Sequence, residues 1–244
     1  MPATHCVGKS EQFSHMKVDI ITIFPSIFDS FLSESILARA QKKNLLKINI
    51  HNLRKWTKDK HKTVDDRPYG GGAGMLLKVE PISKAVKDIV IPRRKTSRDL
   101  RDKNRSRTIL LSAKGKTFTQ KDAWRLAKYD QLIMICGRYE GVDERVAKYV
   151  ADEEVSIGNY VLFGGEVPAM VLVEAVSRLI PGVVAKPESI KYESFSDKEA
   201  NIKEYPQYTR PEIFALNGKK LKVPSVLLSG DHKKIEKWRE KHSK

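Results

Sequence analysis

The chain has 244 residues, 40% of them hydrophobic and 31% charged, a balance that belongs to a globular protein rather than a disordered one. No apolar stretch approaches the ~20 residues that cross a bilayer, and residues 1–15 carry no apolar segment of the signal-peptide kind. A formal net charge of +16 and an isoelectric point near 9.7 imply a polyanionic partner, most simply nucleic acid.

In chain order the pattern alternates between strands and helices. Residues 18–24 read as a strand, which makes Met16 the natural start of the folded part and residues 1–15 a disordered extension. Pro25 sits where a first helical turn would begin, and Ile27, Phe28, Phe31, Leu32 and Ile36 recur at helical spacing. Leu46, Ile48 and Ile50 alternate as in a strand, and Pro81 opens a helix that reaches about Val90. Residues 93–107 hold eight Lys or Arg against two Asp and read as a surface insertion. Strands at 108–112 and 131–136 follow, with a helix at 120–128 between them. Residues 142–150 are helical, 155–157 form a short strand, and 166–180 form an apolar helix that Pro181-Gly182 ends.

This rhythm predicts an α/β fold with a mostly parallel sheet, whose ligand sits beyond the carboxyl ends of the strands. Past Gly182 the character changes. Residues 185–199 are polar, without a period, and read as a linker. Residues 200–244 read as a small helical domain, in which Ser229 caps a last helix with Ile235 and Trp238 on its apolar face. Residues 201–244 hold eleven Lys or Arg against five acids, a second basic cluster. Two cysteines, Cys6 and Cys136, have neither CxxC nor zinc-ligand spacing, which fits a reducing cytoplasm.

Three glycine-bearing segments carry the chemistry: TVDDRPYGGGAGM at 63–75, CGRYEGVDER at 136–145 and SIGNYVLFGGEVPAM at 156–170. The last two each follow an apolar strand pattern. Glycines at strand ends mark close approach of backbone to a ligand, or equally a tight turn. Common nucleotide motifs do not match. Gly115-Lys116-Thr117 resembles the end of a P-loop, but the required glycine five residues earlier is Leu110. The run from Gly70 lacks the third glycine of a dinucleotide fingerprint.

Together with VSRLIPGVV at 176–184 and YPQYTRPE at 205–212, these segments resemble, in order and spacing, the bacterial tRNA (guanine-N1)-methyltransferases, the TrmD type of the SPOUT superfamily. The resemblance covers roughly residues 16–240. It implies transfer of a methyl group from S-adenosylmethionine to N1 of guanine at tRNA position 37, 3′ of the anticodon. It also implies a catalytic domain tied in a deep trefoil knot, and a homodimer with a shared active site. The partner is then the anticodon stem-loop of tRNA rather than DNA or a membrane. Magnesium helps the family's reaction, but no ligands for it can be assigned from spacing.

The resemblance also assigns roles to residues. Glu193, in Tyr192-Glu193-Ser194-Phe195, stands where the family has its aspartate base; it keeps the carboxylate and adds a methylene. Otherwise it reads as a solvated linker residue. Arg178 matches an arginine that faces the target guanine, with placement at a helix C-terminus as its structural reading. Asp65 matches an aspartate that contacts the target base, and Arg67 and Gly74 belong to the same loop. Tyr139 and Glu140 match neighbours of the methyl donor. Leu111, Ser112, Gly137, Ser156, Ile157, Gly158, Tyr160, Leu162, Gly164, Gly165 and Pro168 match the three loops that cradle it. Leu110 and Ala113 stand where relatives often carry Tyr and Pro, so the first of those loops has its own shape. Tyr205, Tyr208, Arg210 and the last helix are candidates to grip the anticodon stem and loop, Trp238 being expected to fill the small domain's core. The alternative is a non-catalytic RNA-binding relative, motivated by Glu193 and the altered first loop.

Overall fold

The computed structural model describes residues 15–90, 106–186, 193–195 and 203–243. The extension before Met16, most of the Arg-rich run and most of the 185–199 linker lie outside the described residues. The chain divides into two units, Met1–Ala185 and Lys186–Lys244.

The first unit is built on a parallel five-stranded sheet. Its strands are β1 (Met16–Thr22), β2 (Leu46–Asn52), β5 (Ser106–Thr117), β6 (Gln131–Cys136) and β7 (Glu153–Ser156), in the order β2-β1-β6-β5-β7. Successive side chains of a strand point to opposite faces, and helices cover both, so the central strands read as continuous apolar runs. On one face Val18, Ile20, Leu111, Leu132 and Met134 pack with Leu37 of α2 (Ser35–Lys42), Leu126 of α4 (Gln120–Leu126) and Leu172 of α6 (Glu166–Ser177). On the other, Ile21, Leu110, Ile133 and Ile135 pack with Ile82 and Ala85 of α3 (Val79–Ile89) and Val146 of α5 (Glu144–Tyr149). A short helix α1 (Asp29–Ser33) precedes α2, and a small antiparallel pair, β3 (Asp65–Asp66) with β4 (Leu76–Leu77), frames the glycine-rich run.

Two long-range features shape this unit. Asp19, fully buried in the middle of β1, accepts from Asn49 Nδ2 (2.9 Å) and Gln131 Nε2 (2.6 Å), lies 2.8 Å from His51 Nε2, and pairs with Lys17 Nζ at 3.0 Å. Burial pushes its carboxyl up, but these hydrogen bonds and the ammonium outweigh it and hold the group below the ordinary carboxylate value. Second, β5 pairs with β7 twice: Leu111 and Lys116 both oppose Val155, so residues 112–115 loop out between them. Gly115 lies against the β7 backbone there; a Cβ would fall 2.5 and 2.6 Å from the Glu154 carbonyl carbon and oxygen.

The second unit differs from the helical domain expected. Residues 213–222 form an antiparallel hairpin, β8 (Ile213–Leu216) with β9 (Lys219–Lys222). The turn is Asn217-Gly218, both at positive φ (48° and 75°), the conformation a two-residue hairpin loop requires. The last helix, His232–His242, is capped by Asp231, whose Oδ1 accepts from Lys234 N at 3.2 Å, and not by Ser229. Trp238 is only half-buried, stacked on His242 at 4.1 Å, and none of this unit's described residues is buried. The apolar helix α6 also ends earlier than expected, at Ser177, where bonds from Leu179 N to Val176 O and Ile180 N to Ser177 O tighten the turn ahead of Pro181.

Candidate active site

The bulge in β5 and the loops that leave the carboxyl ends of β6 and β7 enclose a cleft. The structure brings together all thirteen residues that the sequence assigns to the donor loops. Leu111 and Ser112 come from the middle of β5, where its bulge begins, and Gly137, Tyr139 and Glu140 from the loop after β6. Ser156, Ile157, Gly158, Tyr160, Leu162, Gly164, Gly165 and Pro168 come from the segment joining β7 to α6. Ser156 Oγ folds that segment's start by donating to Gly158 O (2.9 Å) and accepting from Gly158 N (3.2 Å). The hydroxyl of Tyr160 donates to Ile157 O at 3.1 Å.

At the base of these loops β6 and the start of α6 nearly touch. Gly165 N donates to Gly137 O at 2.9 Å, and a Cβ on Gly165 would lie 2.7 Å from Cys136 Cα. Cys136 itself is no nucleophile: burial pushes its thiol well up, with the Glu166 charge adding to the shift.

The glycine-rich run 63–77 is stitched to the loop after β6. Glu140 N donates to Met75 O (3.1 Å), Leu77 N to Gly141 O (3.0 Å) and Asp143 N to Leu77 O (3.0 Å). Asp65 does not line the cleft; it is paired in register with Leu77, whose N donates to Gly141 O of the loop after β6. Arg178 is half-buried at the C-terminal cap of α6, outside the cleft walls, and Glu193 belongs to the second unit.

Arg138, of the CGRYEGVDER segment, lines the cleft, and one contributor escapes the sequence reading: Glu166, in the first turn of α6, is buried behind it. The available signal was a charged residue at the start of an otherwise apolar helix. Among the described residues, no group of three or more His, Cys, Asp or Glu is disposed to hold a metal ion, and no helix is long and apolar enough to cross a membrane.

Comparison with known proteins identifies the family. The model of the family described as "tRNA (Guanine-1)-methyltransferase TrmD" matches residues 16–244. A tRNA (guanine-N(1)-)-methyltransferase of Carboxydothermus hydrogenoformans is 51% identical, over 93% of this chain and 83% of that protein. One from Dictyoglomus turgidum is also 51% identical, over 93% and 85%. One from Endomicrobium trichonymphae is 47% identical, over 93% and 94%. With the match spanning both units at such identity, the chain belongs to the tRNA (guanine-1)-methyltransferase TrmD family.

Proposed function

We propose that this protein is a methyltransferase that moves a methyl group from S-adenosylmethionine to N1 of guanine 37 of tRNA. The observation that carries the reading is the convergence of the β5 bulge and the loops after β6 and β7 on one cleft, in a chain about half identical to enzymes bearing that name. The cleft's walls fit the donor: Leu111, Ile157, Leu162 and Pro168 offer apolar contact to a purine. The Glu140 carboxylate suits a ribose or a sulfonium. When bound, S-adenosylmethionine supplies an already electrophilic methyl group.

What remains for the protein is alignment and removal of a proton. Guanine N1 is a poor nucleophile until its proton leaves, and Glu193 accepts that proton. The electrons then shift toward O6, where the guanidinium of Arg178 stabilises the growing charge. Asp65 holds the target base, drawn from the anticodon stack, for in-line attack.

The protein works as a homodimer with a shared active site, and its catalytic unit is knotted in the SPOUT manner. In support of self-association, Val161 and Phe163 are 89% and 95% exposed beside the cleft, and Val167 and Val171 are exposed one turn apart on α6. In support of the knot, β7 runs against both segments of β5 while α6 returns against the end of β6. The second unit, with Lys219, Lys220, Lys222 and the basic last helix, engages the anticodon stem-loop. A tRNA substrate implies a cytoplasmic enzyme.

The test is methyl transfer from labelled S-adenosylmethionine to two tRNA transcripts, with guanine or adenine at position 37. Label at N1 of the guanine transcript alone is the expected result. Tight tRNA binding without label would instead identify a non-catalytic RNA-binding relative.

A further inference from the structure

The segment from Ile157 to Gly164 forms one wall of the cleft, yet residues 159–163 are all exposed. Burial therefore does little to hold this strap in place. Its far end is tied down by a chain of polar contacts that begins on a different strand. Phe24 N donates to Thr22 Oγ1 (2.9 Å), and Thr22 Oγ1 donates to Glu166 Oε1 (2.7 Å). Arg138 Nε donates to the other carboxylate oxygen, Glu166 Oε2 (2.8 Å), and Arg138 Nη1 donates to Phe163 O (3.3 Å). The guanidinium also lies over the Phe24 ring, 4.8 Å from its centroid, and Arg138 bridges Gly164 through the main chain.

We infer that Glu166 and Arg138 are a positioning pair for the donor cleft: buried Glu166 orients the guanidinium, and Arg138 clasps the strap closed. The inference rests on reading the cleft as the donor site. Glu166 is 1% exposed, so its charge is tolerable only while paired and hydrogen-bonded on both oxygens, which it is. The guanidinium is needed for its shape. One edge meets the carboxylate while another nitrogen reaches the Phe163 carbonyl, a fork that a lysine ammonium does not reproduce. Neither residue touches the reacting atoms in this account; both act through the wall they hold.

The experiment uses the full chain and measures three things. These are calorimetric titration with S-adenosylmethionine, hydrogen exchange of residues 157–164 without donor, and thermal melting. The variants are Arg138→Lys and Glu166→Gln. Glu153→Gln is the control, because Glu153 holds Arg107 and Arg125 in an ion pair of the same sheet outside the cleft walls. Each variant breaks a charge-assisted hydrogen bond that holds the strap, so both are expected to weaken donor binding about tenfold or more. Exchange across 157–164 rises in both, and methyl transfer at saturating donor falls by less than the affinity does. Glu153→Gln is expected to lower the melting temperature and leave donor affinity and strap exchange alone.

The proposal is overturned if both variants keep donor affinity within about twofold of wild type. It is equally overturned if Glu153→Gln weakens donor binding as much as they do at matched loss of stability. Should wild type bind no donor, the reading of the cleft falls, and strap exchange alone then decides the clasp: unchanged exchange refutes it and raised exchange supports it. If either variant does not fold, Thr22→Val, which removes only the hydroxyl at the far end of the chain of contacts, is expected to raise strap exchange; no rise refutes the clasp.

Discussion

Replacing Gly165 by alanine puts the geometry of the cleft under direct strain. The added Cβ would lie 2.7 Å from Cys136 Cα, 3.0 Å from Gly137 N and 3.1 Å from Cys136 Cβ, where ordinary contact begins near 3.4 Å. Two of these neighbours are main chain in a buried strand end, so they cannot rotate away. The start of α6 must therefore retreat by about 0.7 Å, the difference between 3.4 and 2.7 Å. That retreat would stretch the 2.9 Å bond from Gly165 N to Gly137 O toward 3.6 Å, where a hydrogen bond is lost. Overpacking of this kind costs ~1–3 kcal/mol, and at 2 kcal/mol the melting temperature falls by roughly 4–8 °C for a unit of this size. Because Gly164, Gly165 and Pro168 all line the cleft, the same movement reshapes it, and donor affinity is expected to fall more than tenfold. Thermal unfolding and calorimetric titration with S-adenosylmethionine check the two consequences separately. A variant that melts within about 1 °C of wild type and binds donor unchanged would show that α6 and β6 do not approach as closely as described.

Two further outcomes follow from the roles and contacts above. Glu193→Gln removes the proposed base while keeping the side chain's size, and is expected to lower methyl transfer by ~10²-fold or more with donor binding nearly intact; turnover close to wild type would exclude Glu193 from proton removal. Asp19→Asn places an amide among donors that the carboxylate now satisfies, and is expected to cost about 3 kcal/mol of stability at neutral pH. The carboxyl of Asp19 is held below its ordinary value, so its contribution is fully present above the unfolded value near ~3.9 and is lost as pH falls through the folded one. Wild type should therefore lose melting temperature below about pH 4 more steeply than Asp19→Asn, and parallel acid limbs would refute the assignment.

The sequence by itself determined the elements whose signals are local. Strand and helix periods depend on neighbours two to four residues apart, so β1, β2, β6 and α6 were legible from apolar spacing alone, and the parallel sheet followed from their alternation. The residues proposed for the donor site came from the resemblance, and all but Leu111 and Ser112 stand in two of the glycine-bearing segments; the structure gathers them around one cleft. Where local signals competed, the reading slipped. Asn217-Gly218 is a hairpin turn signal, but Lys219-Lys220-Leu221-Lys222 has too little apolar alternation to declare a strand, and the hairpin passed unseen.

Only the tertiary structure decided what depends on distant pairing. The order β2-β1-β6-β5-β7 leaves no trace in any short window. Gly115, whose P-loop match already fails at Leu110, gains a reason only from β7 lying against it. Glu166 looked like one charge at a helix start, yet it bonds to Thr22, 144 residues away, and to Arg138, 28 residues away. A buried carboxylate is stable only with its partners in place, and those partners are brought together by the path of the chain, not by its local pattern.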